Sequence, residues 1–202
     1  MSSDTETLLP RTGEPSARKA SRRERRLLRL FVFVPLVFLL ALGGYAYLTR
    51  VAPTQTPPLR AGDEAPLFAF PDLKGRTVSL KDFRGKVVFL NVWATWCPTC
   101  VWEMPSMEVI YQKYRNRGLV MLAVSIDALG KDVVVPFMKK YELTFPALLD
   151  PKGTIKRLYQ TTGVPETFII DREGRLFRKV IGPREWTRPE MTELIEIALR
   201  SS

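Results

Sequence analysis

Lys86-Val87-Val88-Phe89-Leu90-Asn91-Val92-Trp93, running on into Ala94-Thr95-Trp96-Cys97-Pro98-Thr99-Cys100, is the stretch on which the fold of this 202-residue chain turns. Its first half is almost continuously apolar and rich in β-branched and aromatic residues, the pattern of a central strand buried on both faces. After Cys100 the period changes. Met104, Met107, Ile110, Tyr111 and Tyr114 recur at steps of three and four, which predicts an amphipathic helix. Cys97 and Cys100 are the only two cysteines, and they stand at the junction. A strand–CxxC–helix junction puts the first sulfur over the helix start, where unpaired N–H groups and the helix dipole favour thiolate over thiol. The thiolate is the species that attacks disulfides, so the spacing suits thiol–disulfide exchange.

Three other readings compete. A structural disulfide across so short a loop removes little unfolded-state entropy and staples almost nothing. A zinc site usually takes four ligands, whereas this chain has no further Cys and no His. Two inert buried thiols are the third reading; the Pro-Thr turn and the helix-start position argue instead for accessible sulfur. Beside redox chemistry, the remaining possibility is chiefly metal handling.

The N-terminal part bears on location. Leu30 to Leu48 is an uncharged apolar run that, at about 1.5 Å per residue, nearly matches a bilayer core of roughly 30 Å. Arg18, Lys19, Arg22, Arg23, Arg25, Arg26 and Arg29 precede it. The positive-inside rule keeps such a flank cytoplasmic and exports the chain beyond Arg50. Tyr45 and Tyr47 fall where interfacial aromatics sit, and Pro35 is better tolerated in a membrane helix than in a soluble one. A cleaved signal peptide is the alternative, with Gly44-Tyr45-Ala46 as a poor cleavage site and a faint twin-arginine likeness. Its leading segment is long and its apolar run exceeds the usual core of about 7–15 residues, so an uncleaved anchor fits better. The formal charge of +10 also admits nucleic-acid binding, but much of the excess lies beside the apolar run, where topology accounts for it.

The expected organisation is a disordered basic tail over 1–29, a membrane anchor over 30–48, a Pro-rich tether over 49–66 and one domain over 67–202. Two short strands flank the turn Asp72-Leu73-Lys74-Gly75, and a turn over Lys81–Lys86 leads into the CxxC strand and helix. A second buried strand spans Leu119–Ile126, a helix Val133–Tyr141, a strand Pro146–Asp150 and a short helix Thr154–Tyr159. Thr167–Asp171 and Leu176–Val180 form a hairpin, and a helix closes the chain over Pro189–Arg200. The order implies an α/β fold with a mixed central sheet covered by helices on both faces.

With these features in place, the chain resembles the thioredoxin superfamily, and within it the membrane-anchored TlpA/ResA/CcmG group of thiol–disulfide oxidoreductases. The likeness covers roughly Leu59 to Leu199. It rests on Asp72–Gly75, on Phe83-Arg84-Gly85-Lys86-Val87-Val88, on Trp96-Cys97-Pro98-Thr99-Cys100, on Glu103 with Pro105, and on Gly163-Val164-Pro165-Glu166-Thr167-Phe168-Ile169-Ile170-Asp171. The Pro-Thr pair between the cysteines looks most like the cytochrome-c-maturation reductases. The segment between Ile126 and Gly163 looks like the helix and strand this group inserts into a thioredoxin fold that also carries an N-terminal β-hairpin.

The resemblance implies roles. Cys97 matches the attacking cysteine and Cys100 the resolving one, together forming a redox-active disulfide. Pro165 matches a cis-proline facing the cysteines, rather than an ordinary trans turn proline; a cis bond leaves the Val164 backbone free to pair with an extended substrate. Trp96 matches the aromatic flanking the site, although packing alone also explains it. Asn91 aligns with the buried aspartate of thioredoxin and cannot titrate. Glu103, one turn beyond Cys100, is the carboxylate that can approach the sulfurs and shuttle a proton; the other reading is a solvated first-turn glutamate.

Two classes of function are open to such a chain. The first is an extracytoplasmic reductase of exported cysteine-containing proteins, such as apocytochrome c, re-reduced by a membrane electron carrier of the CcdA/DsbD type. It needs no cofactor or metal and no nucleic acid. The second is a copper-handling module using the two thiolates on Cu(I), with Met104 and Met107 nearby in sequence. A peroxidase is rejected, because the Pro-x-x-x-Thr-x-x-Cys pattern needs threonine at position 94, which is Ala94.

Overall fold

The structure, a computed structural model, describes residues 17–51 and 57–201. The chain divides into two compact units, Met1–Thr56 and Pro57–Ser202. In the first, helix α1 runs Ala17–Val51 with Pro35 inside it. Among the described residues, Arg29–Tyr47 is the one helical stretch long and apolar enough to cross a membrane. Its Leu, Phe and Val side chains are exposed in every direction, the surface of a helix whose partner is not its own core. The expected tail differs in part. Residues 1–16 lie outside the described residues, but Ala17–Arg29 is helical rather than disordered. Ala, Leu, Arg, Lys and Glu are strong helix formers, and they extend a helix already nucleated by the apolar run. Thr49–Val51 continues the same helix, while 52–56 lies outside the described residues.

The tether also ends earlier than expected. The Gly62 N–H donates to the Leu176 carbonyl at 2.8 Å and the Ala65 N–H to that of Gly174 at 3.0 Å. Glu64 forms a bridge with Arg175. The second unit therefore begins to pair before residue 67, because a strand edge near Leu176 offers partners for these backbone groups.

In that unit β1 (Ala69–Pro71) and β2 (Thr77–Ser79) make an antiparallel hairpin, followed by a 3-10 turn over Leu80–Phe83. The CxxC strand is β3 (Val87–Trp93), and α2 (Pro98–Tyr114) follows it. Next come β4 (Leu119–Ser125), α3 (Lys131–Lys140), β5 (Ala147–Leu149) and α4 (Thr154–Leu158). The chain ends with β6 (Glu166–Ile170), β7 (Leu176–Ile181) and α5 (Pro189–Arg200). The sheet order is β5-β4-β3-β6-β7. β3, β4 and β5 are parallel, and β6 and β7 are antiparallel additions. This is the mixed sheet the element order implied. The bridge Asp72–Leu148 brings the N-terminal hairpin to β5, an outer strand.

Alternation along β3 explains the two cores. Val87, Phe89 and Trp93 join α2, α3 and α5 through Met104, Met107, Ile110, Val134, Met138 and Ile195. Val88, Leu90 and Val92 point the other way, toward Phe68, Phe70, Tyr159 and Ile155 of α4. The same period of two puts Asn91 on the α2 side, a polar residue in an otherwise apolar layer. That placement sets up the site.

Candidate active site

β3 ends at Trp93, and the chain turns into α2 within four residues. Cys97 is the N-cap of α2 and Pro98 fills its first turn, where a missing N–H costs nothing. Cys97 and Cys100 form a disulfide, with Cα atoms 5.3 Å apart. The Cys100 N–H donates to Cys97 Sγ at 3.2 Å, and Thr99 Oγ1 lies 3.4 Å from the same sulfur. Cys97 Sγ also lies 3.6 Å from the Val164 carbonyl oxygen. The two cysteines differ in access: Cys97 is 5% exposed and Cys100 is 0% exposed.

The loop before β6 carries the cis Val164–Pro165 peptide. Pro165 is buried and Val164 half-buried. Trp96, immediately before Cys97, is 64% exposed, so it is available to a partner rather than spent on packing. The structure thus brings Trp96, Cys97, Cys100, Val164 and Pro165 to one end of the sheet.

Glu103 behaves differently from the solvated alternative. It is fully buried, and its carboxylate is enclosed by three donors. Asn91 Nδ2 donates to Oε1 at 2.9 Å, the Arg184 backbone N–H to Oε2 at 3.1 Å, and Trp186 Nε1 to Oε2 at 3.2 Å. Neither sulfur is among its hydrogen-bond partners, so any coupling to the dithiol is across the turn of α2 rather than by direct contact. Burial pushes the Glu103 carboxyl up to about 7, against the pull of its Arg184, Asn91 and Trp186 bonds toward the ionised form. It titrates where a group that both takes and gives a proton works best.

Sequence reasoning missed the loop that closes this pocket. Ser106 Oγ donates to the Glu103 carbonyl at 2.8 Å and accepts from the Trp186 N–H at 3.0 Å, tying the 183–186 loop to α2. Trp186 is wholly buried against Phe89, with ring centroids 4.6 Å apart. The available signal was a lone tryptophan in the polar run Pro183-Arg184-Glu185-Trp186-Thr187. Asn91 also donates to Thr167 Oγ1 at 2.9 Å, so the residue that cannot titrate bridges β3, β6 and the carboxylate that can. A second buried carboxylate, Glu166, accepts from the Thr162 N–H and hydroxyl and pairs with Lys179 at 2.9 Å.

A CxxC disulfide at a helix start, at the end of a thioredoxin-type sheet and one turn from a buried titratable carboxylate, defines a thiol–disulfide oxidoreductase. Comparison with known proteins agrees. The AhpC/TSA family model matches residues 61–178. The chain is 39% identical over 144 residues to thiol-disulfide oxidoreductase ResA of Bacillus thuringiensis subsp. konkukian, covering 71% of this chain and 81% of that protein. Against the ResA of Bacillus subtilis it is 34% identical over 160 residues, covering 79% and 88%. A crystal structure from Chlorobium tepidum, described as a thiol:disulfide interchange protein DsbE, superposes with a TM-score of 0.65 at 36% identity, covering 70% of this chain and 99% of the other. The chain belongs to the AhpC/TSA family and, within it, to the ResA-type thiol–disulfide oxidoreductases. Its substrates are accordingly cysteine-containing proteins. Position 94 remains the buried Ala94, without the hydroxyl a peroxidase would place there.

Proposed function

We propose that this protein is a reductase of disulfides in exported proteins, of the cytochrome-c-maturation type, with apocytochrome c as the substrate before haem attachment. Cys97 thiolate attacks one sulfur of the substrate disulfide, forms a mixed disulfide and expels the other substrate sulfur as thiolate. Cys100, as thiolate, then attacks Cys97 Sγ; the second substrate thiol leaves and the Cys97–Cys100 disulfide forms. Two electrons pass from the dithiol to the substrate. The proton that Cys100 must lose reaches Glu103 through an intervening water, since the carboxylate that Asn91 holds makes no hydrogen bond to either sulfur. Trp96 and the Val164–Pro165 backbone bind the substrate segment on either side of Cys97. The observation that carries this reading is the difference in access between the two sulfurs at the start of α2, together with the Val164 carbonyl beside the outer one.

The basic flank before Arg29 supports an N-terminus held in the cytoplasm, α1 as a retained anchor in the cell membrane, and the catalytic unit outside it. A dithiol working there needs electrons from across the membrane, which a carrier of the CcdA/DsbD type would supply. The copper-handling reading would have to rest on the two thiolates: Met104 and Met107, its nearby sulfur residues in sequence, are wholly buried in the core. Cys100→Ser should trap a mixed disulfide through Cys97, found by mass spectrometry, whereas Cys97→Ser should trap none. Equilibration with glutathione should give a potential nearer about −270 mV, as in thioredoxin, than about −120 mV. Partners held chiefly on Cys100, or a potential above about −180 mV, would reject the reductase.

A further inference from the structure

Asp127 stands just past the end of β4 and is 3% exposed. Its Oδ2 accepts from the Thr95 N–H at 3.0 Å and the Ser125 hydroxyl at 2.7 Å; its Oδ1 accepts from the Thr95 hydroxyl at 2.7 Å. Ser125 in turn receives the Asp127 N–H at 3.1 Å. Every one of these partners is neutral. Burying a carboxylate costs desolvation, and among the described residues no ion pair to Asp127 offsets it, so its hydrogen bonds must compensate. What the carboxylate does offer is two acceptor oxygens in a fixed fork. Both are used on one residue, Thr95.

Thr95 lies two residues before Cys97, in the short connection from β3 to α2. The connection has few other ties. The Cys97 N–H reaches the Ala94 carbonyl at 3.3 Å, and the Ile126 N–H reaches that of Trp93 at 3.0 Å. Without Asp127, the backbone and side chain of Thr95 would both lose their acceptors inside the protein, and the turn presenting Trp96 and Cys97 would be free to shift relative to β4. The relation of Cys97 Sγ to the Cys100 N–H and the Thr99 hydroxyl depends on that turn.

We propose that Asp127 is a positioning residue for disulfide exchange: by gripping Thr95 at its N–H and its hydroxyl, it fixes the turn that presents Trp96 and Cys97. The inference rests on Cys97 being the attacking sulfur. Displacing a reacting atom by about 1 Å costs up to about a hundredfold in rate, so loosening this turn is measurable without unfolding the sheet.

The test uses the full chain and a disulfide-bonded peptide as probe. Asp127→Ala should slow peptide reduction about tenfold. It should also shift the glutathione equilibrium about tenfold toward the oxidised protein, because the Cys97 thiolate loses its fixed donors. Asp127→Asn should restore both to within about twofold: its amide oxygen accepts from the Thr95 N–H and Ser125, and its NH2 donates to a reoriented Thr95 hydroxyl. If Asp127→Ala lowers only the melting temperature and leaves rate and equilibrium unchanged, the residue is merely structural. If Asp127→Asn fails as badly as alanine, charge rather than geometry acts, and the proposal is overturned. Should Asp127→Ala not fold, Thr95→Val against Thr95→Ser decides: the proposal requires a severalfold loss with valine and near-normal exchange with serine. Failure of the underlying reading looks different, because trapping in Cys100→Ser would then miss Cys97 with Asp127 intact.

Discussion

Glu103 and Glu166 are both wholly buried, yet the protein meets them in opposite ways. Glu166 faces the Lys179 ammonium at 2.9 Å and the Thr162 N–H and hydroxyl. Glu103 faces only neutral donors: an amide, a backbone N–H and an indole N–H. The first arrangement balances a charge in place. It closes the loop from Thr162 to Pro165 onto β7, with Lys179 also donating to the Gln160 carbonyl. The second gives the carboxylate no ion pair, only the weaker pull of the Arg184 charge, and burial leaves the carboxyl titrating near neutrality. One carboxylate holds a loop through a direct ion pair with the Lys179 cation, and the other is held by hydrogen bonds without one.

Removing that cation is the most forceful way to break the comparison. Lys179→Met leaves Glu166 buried and unpaired, which should cost about 3–5 kcal/mol of stability. Urea midpoints measure it. Pairing the change with Glu166→Gln should recover most of the loss, because the Thr162 bonds survive on an amide oxygen and no charge remains buried. If the single and double variants are equally unstable, Lys179 contributes through its packing over Phe168 rather than through Glu166.

Glu103 gives the next largest effect, and it appears as a pH dependence. Its native carboxyl is raised from 4.5 to about 7, so the native state holds a proton that the unfolded chain has already released. The stabilising contribution is fully present below about 4.5 and is lost as pH rises through about 7. A shift of this size corresponds to roughly 3 kcal/mol. Glu103→Gln should remove that dependence, so its stability relative to the parent should be higher at pH 8 than at pH 4 by about this amount. Denaturant curves at the two values test it, since every other titrating group is shared. The same variant should slow resolution of the mixed disulfide, because no group then receives the Cys100 proton. A pH-independent difference in stability would mean the carboxyl titrates near its ordinary value.

The contrast also marks how far the sequence could be read. The dithiol, β3 and α2 were legible because their signals are local: an apolar run, a change of period and two cysteines three apart. Glu103 itself was legible as one turn beyond Cys100. Its cage was not. Arg184 and Trp186 come from a loop some eighty residues away, with no periodicity to announce it, and Asn91 was read only as a residue that cannot titrate, not as a brace. Asp127 was hidden for the same reason, since the bond to Thr95 forms only when β4 lies beside β3. The docking of Gly62–Ala65 on β7 shows the same limit at the other end of the sheet, where a Pro-rich composition indicated a tether and tertiary pairing decided otherwise.

The finest test concerns a single donor in the Glu103 cage. Trp186→Phe keeps an aromatic ring against Phe89 but removes the Nε1–H that reaches Oε2 at 3.2 Å. Stability is the wrong readout, because the smaller ring leaves a cavity with a cost of its own. The titration of Glu103, followed by carboxyl carbon NMR, isolates the hydrogen bond. That bond favours the ionised carboxylate, so losing it should raise the Glu103 titration further, by about one unit if the bond has the strength usual for a charged acceptor. The Arg184 N–H at 3.1 Å stays in place and limits the rise. An unchanged titration would show that the backbone donor and Asn91 alone set the carboxylate, and that the indole serves the core rather than the proton.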